Sequence, residues 1–291
     1  MPAVWDLNTE QSITFDELIA HFDALGADVL VRDLESSAAM LRRLYNNRTF
    51  LVEILHRQIQ DLPTFERING YTSQVFILHR STHYFVRAAL WMNDAGKRTD
   101  EVFLYEDAHD HNFNLLTLGY VGSGYRTRVF EYDHAAAIGY PGEAVPVRYC
   151  DTIDLSAGRV LLFRESRDIH VQFPPSESSI SINIISTGSQ HVPQYAFDLN
   201  LDPSTTSATI RKTLVGYMPA TFARFAQAMG VKDLTSRLRT MLDSPLRDPA
   251  RLAIYTAMAE IDGDAAWRTA LADCSAAIQA VARMKLARRD A

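Results

Sequence analysis

Cysteine is scarce in this chain. Cys150 and Cys274 are the two among 291 residues, 124 positions apart and in no C-x-x-C pair. That count argues against a disulfide framework and against a thiolate zinc site. Basic residues are outnumbered, 29 against 35 acidic, and the formal charge is −6. A nucleic-acid or anionic-membrane binder would show a basic excess or stripe, so neither partner is expected. No apolar run approaches the ~18 residues of a membrane span. The opening Met-Pro-Ala-Val-Trp-Asp lacks the basic-then-apolar pattern of a signal peptide, which predicts a cytoplasmic location. Internal repeats and low-complexity stretches are missing too. What remains is ample apolar content, 47% of residues, enough to build a sizeable core without staples.

Three zones follow from periodicity. Residues 9–62 read as helical. Thr14-Phe-Asp-Glu17 has the form of a capping box, and Phe15, Leu18, Ile19, Phe22 and Leu25 share a face before the stop at Gly26. A second helix is predicted over 37–61, with a stripe of Met40, Leu41, Leu44, Leu51, Ile54, Leu55 and Ile59 that ends before Pro63. From about 70 to 200 the period changes. Asn69-Gly70 signals a turn, and strands are predicted at 74–80, 83–92, 101–105, 111–121, 126–132, 146–150, 159–164, 168–173 and 179–186. Many short strands with no helices between them indicate an antiparallel sandwich or barrel. Residues 205–291 return to a helical period. Asp248-Pro249 reads as N-cap and first helical residue, and 265–288 as one alanine-rich helix with a basic end. The expected organisation is α+β: an N-terminal helical extension over 1–68, a β-barrel over 69–200 and a C-terminal helical region over 201–291.

Three of the nine histidines form a pattern. His109-Asp110-His111 places two imidazoles at i and i+2, which on a strand point to one face. His170 follows 59 residues later on another predicted strand. In a closed barrel the three can converge on one interior point. Three neutral imidazoles suit a borderline divalent metal such as Fe(II), Cu(II), Ni(II) or Zn(II), and leave coordination positions open.

These residues resemble the cupin superfamily, whose first motif runs H-x-H, then three or four residues, then Glu, and whose second runs G-x5-P-x-G-x2-H. The first is His109-Asp110-His111. The second is degenerate in GRVLLFRESRDIH from Gly158 to His170, one residue longer, with Arg164 and Ser166 near the Pro and Gly positions. The resemblance covers about 105–186 and implies a double-stranded β-helix holding a metal at His109, His111 and His170. Leu115 and Leu116 stand where the motif has Glu, so the likeness moves from manganese cupins toward three-histidine iron cupins, typified by the thiol dioxygenases. Glu106, Asp107, Asp110 and Glu131 are the nearby carboxylates that could still join, with Asp110 turned away by alternation. The 2-oxoglutarate-dependent oxygenases share this barrel, and Leu115-Leu116-Thr117-Leu118 resembles the segment after their first ligands. Their H-x-D/E is not matched, because His111 and Phe113 stand at the acid positions. The strand 179–183 has no arginine for the oxoacid. 2-Oxoglutarate therefore ranks second as a cofactor.

Other residues fill out the expected site. Arg87 lies in an apolar strand where an uncompensated charge would be costly, so it is a candidate carboxylate anchor. Arg164 and Asn183 join it as candidate substrate contacts, and Tyr105, Tyr120 and Tyr125 as hydroxyl donors near the metal. His79 and His83 read as hairpin residues, His134 and His191 as solvated strand-edge residues, and Cys150 as a small buried one. Arg288 and Arg289 fall in a solvated basic tail. The expectation is an Fe(II) oxygenase using O2 on a small polar substrate. The rivals are a 2-oxoglutarate hydroxylase and a non-catalytic small-ligand barrel whose helical zones could serve a homodimer.

Overall fold

A computed structural model describes residues 2–60, 74–93, 105–188, 192–215 and 219–287. The chain divides into two compact units. The first comprises Met1–Tyr132, Pro146–Gln190 and Ala196–Ala208; the second comprises Asp133–Val145, His191–Tyr195 and Thr209–Ala291.

The first unit opens with β1 (Ala3–Trp5) and the helices α1 (Phe15–Leu25), α2 (Leu34–Asn46) and α3 (Phe50–Gln60). Thr14 and Glu17 form the expected capping box, and Gly26, at φ 55°, closes α1. The helix predicted over 37–61 is two helices. Asn47 adopts an extended backbone and its side-chain oxygen accepts from the backbone N–H groups of Thr49 and Phe50, which caps α3 and ends α2. The apolar stripe continues across the break, which is why periodicity alone merges the two.

Strands β2 (Val75–Arg80), β3 (Tyr84–Trp91), β4 (Ala108–His109), β5 (Leu115–Val121), β6 (Arg126–Tyr132), β7 (Ala144–Asp154), β8 (Val160–Phe163), β9 (Asp168–Phe173), β10 (Ser179–Ser186), β11 (Gln194–Asp198) and β12 (Ser207–Val215) follow. One sheet has the order β1-β8-β5-β10-β3-β2, and the other six strands close an antiparallel barrel in the order β11-β12-β7-β6-β9-β4. Eight predicted strands correspond to described ones; the ninth, 101–105, lies outside the described residues except for Tyr105. Asn69-Gly70, Pro63, His191, Arg288 and Arg289 also lie outside them. β1, β4, β11 and β12 were not predicted. The first two are only three and two residues long. β12 falls in the zone read as helical, although its Ser-Ala-Thr-Ile-Arg-Lys-Thr-Leu-Val run buries Ala208 and Ile210 in alternation.

The six-stranded sheet is buried on both faces. Tyr84, Val86, Ala88, Leu116, Leu118, Tyr120, Ile182 and Ile184 pack against α1–α3. Ala89, Trp91, Leu115, Leu161, Phe163 and Ile185 point the other way and pack with Tyr125, Val129, Ile153 and Leu155. Close approach needs glycine at Gly119, where a Cβ would lie 2.3 Å from the Ser156 carbonyl oxygen.

The second unit contains helices α4 (Pro219–Ala228), α5 (Leu234–Met241), α6 (Asp248–Asp262), α7 (Asp264–Ala270) and α8 (Ala276–Ala287). α6 begins one residue earlier than predicted, with Arg247 in the N-cap position and proline in the first turn. The helix predicted over 265–288 is interrupted between α7 and α8. There the buried Asp273 accepts from the Ser275 N–H, the Arg251 guanidinium and the Tyr255 hydroxyl. Among the described residues no helix is long and apolar enough to cross a membrane.

Candidate metal centre

His109 and His170 are direct partners across the β4–β9 ladder, and Val129 of β6 faces His170 from the other side. β4 ends at His109, so His111 stands just beyond the ladder, yet the i, i+2 spacing still brings its ring to the same side. The three rings meet with centroids 4.4–5.2 Å apart. One nitrogen from each lies within 4.8 Å of the others. At metal–nitrogen distances of about 2.0–2.1 Å, two ligands of one ion are about 3.0–3.4 Å apart. The Nε2 atoms of His111 and His170 are already at 3.3 Å.

Outer contacts orient the rings. His109 Nδ1 is 2.9 Å from the Asp107 carbonyl oxygen. A carbonyl only accepts, so Nδ1 carries the proton and Nε2 keeps its lone pair for the cluster. His170 Nδ1 lies 2.7 Å from the Gln172 amide nitrogen, and a half-turn of the amide that brings its oxygen to the ring lets Nδ1 donate and leaves the Nε2 lone pair for the cluster. Gln172 is two residues on along the same strand, hence on the same face. Phe113 stacks on His111 at 4.5 Å and Phe163 lies 4.3 Å from His170.

The environment keeps these imidazoles neutral. Burial lowers the pKa of all three, opposed at His109 by the Asp107 carbonyl and carboxylate. His111 falls well below the ordinary value through burial, then His109 and the Arg87 charge. His170, 1% exposed, falls well below through burial and the two neighbouring histidines. Neutral rings with converging lone pairs are what a divalent cation requires. The donor set therefore fits a metal ion, though three imidazoles accept several of them.

No carboxylate belongs to the cluster among the described residues. Asp107 bonds His109 through its backbone oxygen, and Asp110 is turned away to accept from the Tyr132 hydroxyl. Glu131 is held by Arg148, Arg164 and Arg167. Glu106 sits in the left-handed backbone region at φ 61° and donates its N–H to the Gln172 carbonyl.

The six other candidate residues separate. Tyr125 is buried in the interior core, its ring 4.2 Å from Trp91. Burial raises its pKa, against hydrogen bonds with Thr117 and Gln172 and the Arg87 charge. Arg87 is opposite Asn183 in the β3–β10 register, and Asn183 accepts from Thr117 at 2.6 Å and Ser181 at 3.2 Å. Tyr120 instead belongs to the helix-facing side and donates to the Asn47 carbonyl. Tyr105 donates to the Met92 carbonyl. The Arg164 guanidinium is bonded to Asp168 and Glu131 in the β8–β9 hairpin. His134, expected to be solvated, is buried against Tyr195 and bonds the Pro193 carbonyl, while Cys150, expected to be buried, is part-exposed. Gln172, Thr117, Ser181 and Trp91 were not singled out from sequence. Strand alternation from His170 and Asn183 was the signal for Gln172 and Ser181.

No protein-family model matches this chain, and no curated protein matches its sequence.

Proposed function

We propose that the chain is a cupin-like, mononuclear non-haem Fe(II) oxygenase that acts with O2 on a small polar molecule such as an amino acid or derivative. The convergence of His109, His111 and His170 carries this reading. Support comes also from the closed antiparallel barrel and from the absence of a carboxylate in the cluster among the described residues, as in three-histidine iron cupins. Iron(II) held by three imidazoles would supply a redox-active Lewis acid with positions left for O2 and substrate.

The chain's own residues do the rest. Asp107 fixes the His109 tautomer, and Gln172 orients His170. Phe113 and Phe163 flank the imidazoles and limit water there. Tyr125 keeps its proton at neutral pH, because burial raises its pKa, and so acts as a hydroxyl donor rather than a phenolate. Arg87 places positive charge near both His111 and Tyr125, a location suited to a substrate carboxylate.

The test is metal content and O2 consumption. Purified protein reconstituted with Fe(II) should bind one equivalent of metal per three-histidine site and consume O2 with a carboxylated substrate panel. His109→Ala, His111→Ala and His170→Ala should each lose both. Full iron loading in His109→Ala and His170→Ala would refute the assignment.

A further inference from the structure

Helix α4 buries its small residues and exposes its large apolar ones. Ala223 and Ala226 belong to the core that it shares with α6. Phe222, Phe225 and Met229 are 60%, 67% and 78% exposed, and their spacing of three and four sets them in one stripe. Met229 continues the helical bonding, since its N–H donates to the Phe225 carbonyl at 3.0 Å. Gly230, at φ 70°, then closes the helix: its N–H donates to the Gln227 carbonyl, and the Val231 N–H to the Ala226 carbonyl. Val231 follows as a further exposed apolar side chain. The stripe thus stands on a capped and packed helix. Burial favours large apolar side chains over alanine, so this arrangement leaves the greater gain to be made outside the core. Exposed apolar side chains grouped in this way mark an interaction surface.

The charge around the stripe selects what covers it. From the start of α4 to the end of α5, residues 219–241, four basic residues (Arg224, Lys232, Arg237 and Arg239) stand against one acidic, Asp233, a net +3 within a chain of −6. The whole-chain balance, which argues against a membrane partner, averages this segment away. Arg224 is bonded to Glu260 of α6 at 2.9 Å. Lys232, Arg237 and Arg239 are exposed and form no ion pair among the described residues. A second copy docked two-fold on the stripe would bring these like charges together, because an isologous contact apposes the same patch of both subunits. An anionic lipid surface neutralises them instead: its headgroups attract Lys and Arg while neighbouring apolar side chains enter the acyl boundary.

We propose that α4 docks on the surface of an anionic lipid bilayer, with Phe222, Phe225 and Met229 inserted at the acyl boundary and Lys232, Arg237 and Arg239 at the headgroups. The surface belongs to the second unit and is independent of the histidine cluster.

The test is co-sedimentation of the full-length chain with vesicles of phosphatidylcholine alone and of phosphatidylcholine mixed with phosphatidylserine. Partition onto the mixed vesicles should exceed that onto the neutral ones by about tenfold or more, since each cation near the surface contributes, and should fall as salt is raised. Phe222→Ser with Phe225→Ser should abolish binding. Lys232→Gln, Arg237→Gln and Arg239→Gln together should reduce the mixed vesicles to the level of the neutral ones. All five side chains are exposed, so the fold tolerates their replacement, and near-UV circular dichroism checks it. Sedimentation velocity without lipid supplies a second reading. A dimer that the paired serine substitutions dissociate would assign the stripe to a second copy and overturn the proposal. Equal partition onto both kinds of vesicle, no binding to the mixed ones, or wild-type binding in either set of variants would overturn it as well.

Discussion

Replacing Gln172 by leucine probes the histidine cluster without touching a ligand. Gln172 is buried and its amide nitrogen lies 2.7 Å from His170 Nδ1, where a half-turn of the amide would place the oxygen instead. An imidazole bound to a metal through Nε2 carries its proton on Nδ1, and the amide accepts that proton when its oxygen is turned to the ring. Leucine matches the volume but offers no acceptor, so Nδ1–H would be buried unsatisfied at a cost of about 1–3 kcal/mol. Losing such an outer contact reduces metal affinity about 10–100-fold, equivalent to about 1.4–2.7 kcal/mol. The expected result is a loss of that size in competition titrations of Zn(II) or Co(II) against a chelator. Gln172→Glu should retain or strengthen binding, because a carboxylate accepts the same proton. His170→Ala sets the level of complete loss, and near-UV circular dichroism confirms that each variant is folded. Wild-type affinity in a folded Gln172→Leu protein would refute the outer-contact argument, because His170 would then need no partner at Nδ1.

Three further outcomes follow from the geometry. Asp273 is buried with Arg251, Tyr255 and the Ser275 N–H; although burial pushes its pKa up, these donors hold it below the ordinary value. Asp273→Ala strands the Arg251 guanidinium and should cost about 3–5 kcal/mol, read by urea denaturation followed at Trp267. Glu131 is pulled from 4.5 down to about 2, first by its hydrogen bond with Arg148, against burial and with help from Arg164 and Arg167. The folded state thus favours the ionised form, so its contribution is complete above the unfolded value and fades as pH falls from about 5 towards 2. Arg148 is 60% exposed, which screens the contribution to about 1–2 kcal/mol. Glu131→Gln should therefore lower stability at pH 7 and leave it nearly unchanged at about pH 2. Gly119→Ala drives a Cβ into the Ser156 and Leu155 carbonyls and should cost about 1–3 kcal/mol in thermal or chemical denaturation.

Much of the fold is legible because burial and period coincide. β6, β9 and β10 match their predicted bounds to the residue, since each is a run of strand-forming residues flanked by Gly, Pro, Asp or Ser. Where burial outlasts an element, period misleads. The stripe shared by α2 and α3 runs on through Asn47, and only the amide at that position, bonded to two N–H groups ahead, marks the joint. The break before α8 likewise depends on Asp273, whose partners Arg251 and Tyr255 lie 22 and 18 residues upstream. Short strands escape for another reason: β4 holds two residues and pairs because β9 and β11 flank it, not because Ala108-His109 favours extension.

The same distinction between local and long-range information separates the site residues. The H-x-H spacing is local, so the shared side of His109 and His111 could be read directly. His170 follows from the strand pattern, and Asp110 points away by the same alternation that joins its neighbours. A tyrosine or arginine gives no comparable sign of its face, because its partner is chosen by register. Tyr120 and Tyr125 show the consequence: five residues apart, one meets the Asn47 carbonyl beneath α2 and α3 and the other meets Trp91 in the interior. Arg87 and Arg164 differ similarly. The Asp168 carboxylate four residues beyond Arg164 closes its hairpin, whereas Arg87 sits opposite Asn183 with its charge felt at His111. An acidic residue at short range in a hairpin is thus the sequence feature that ties an arginine to the fold.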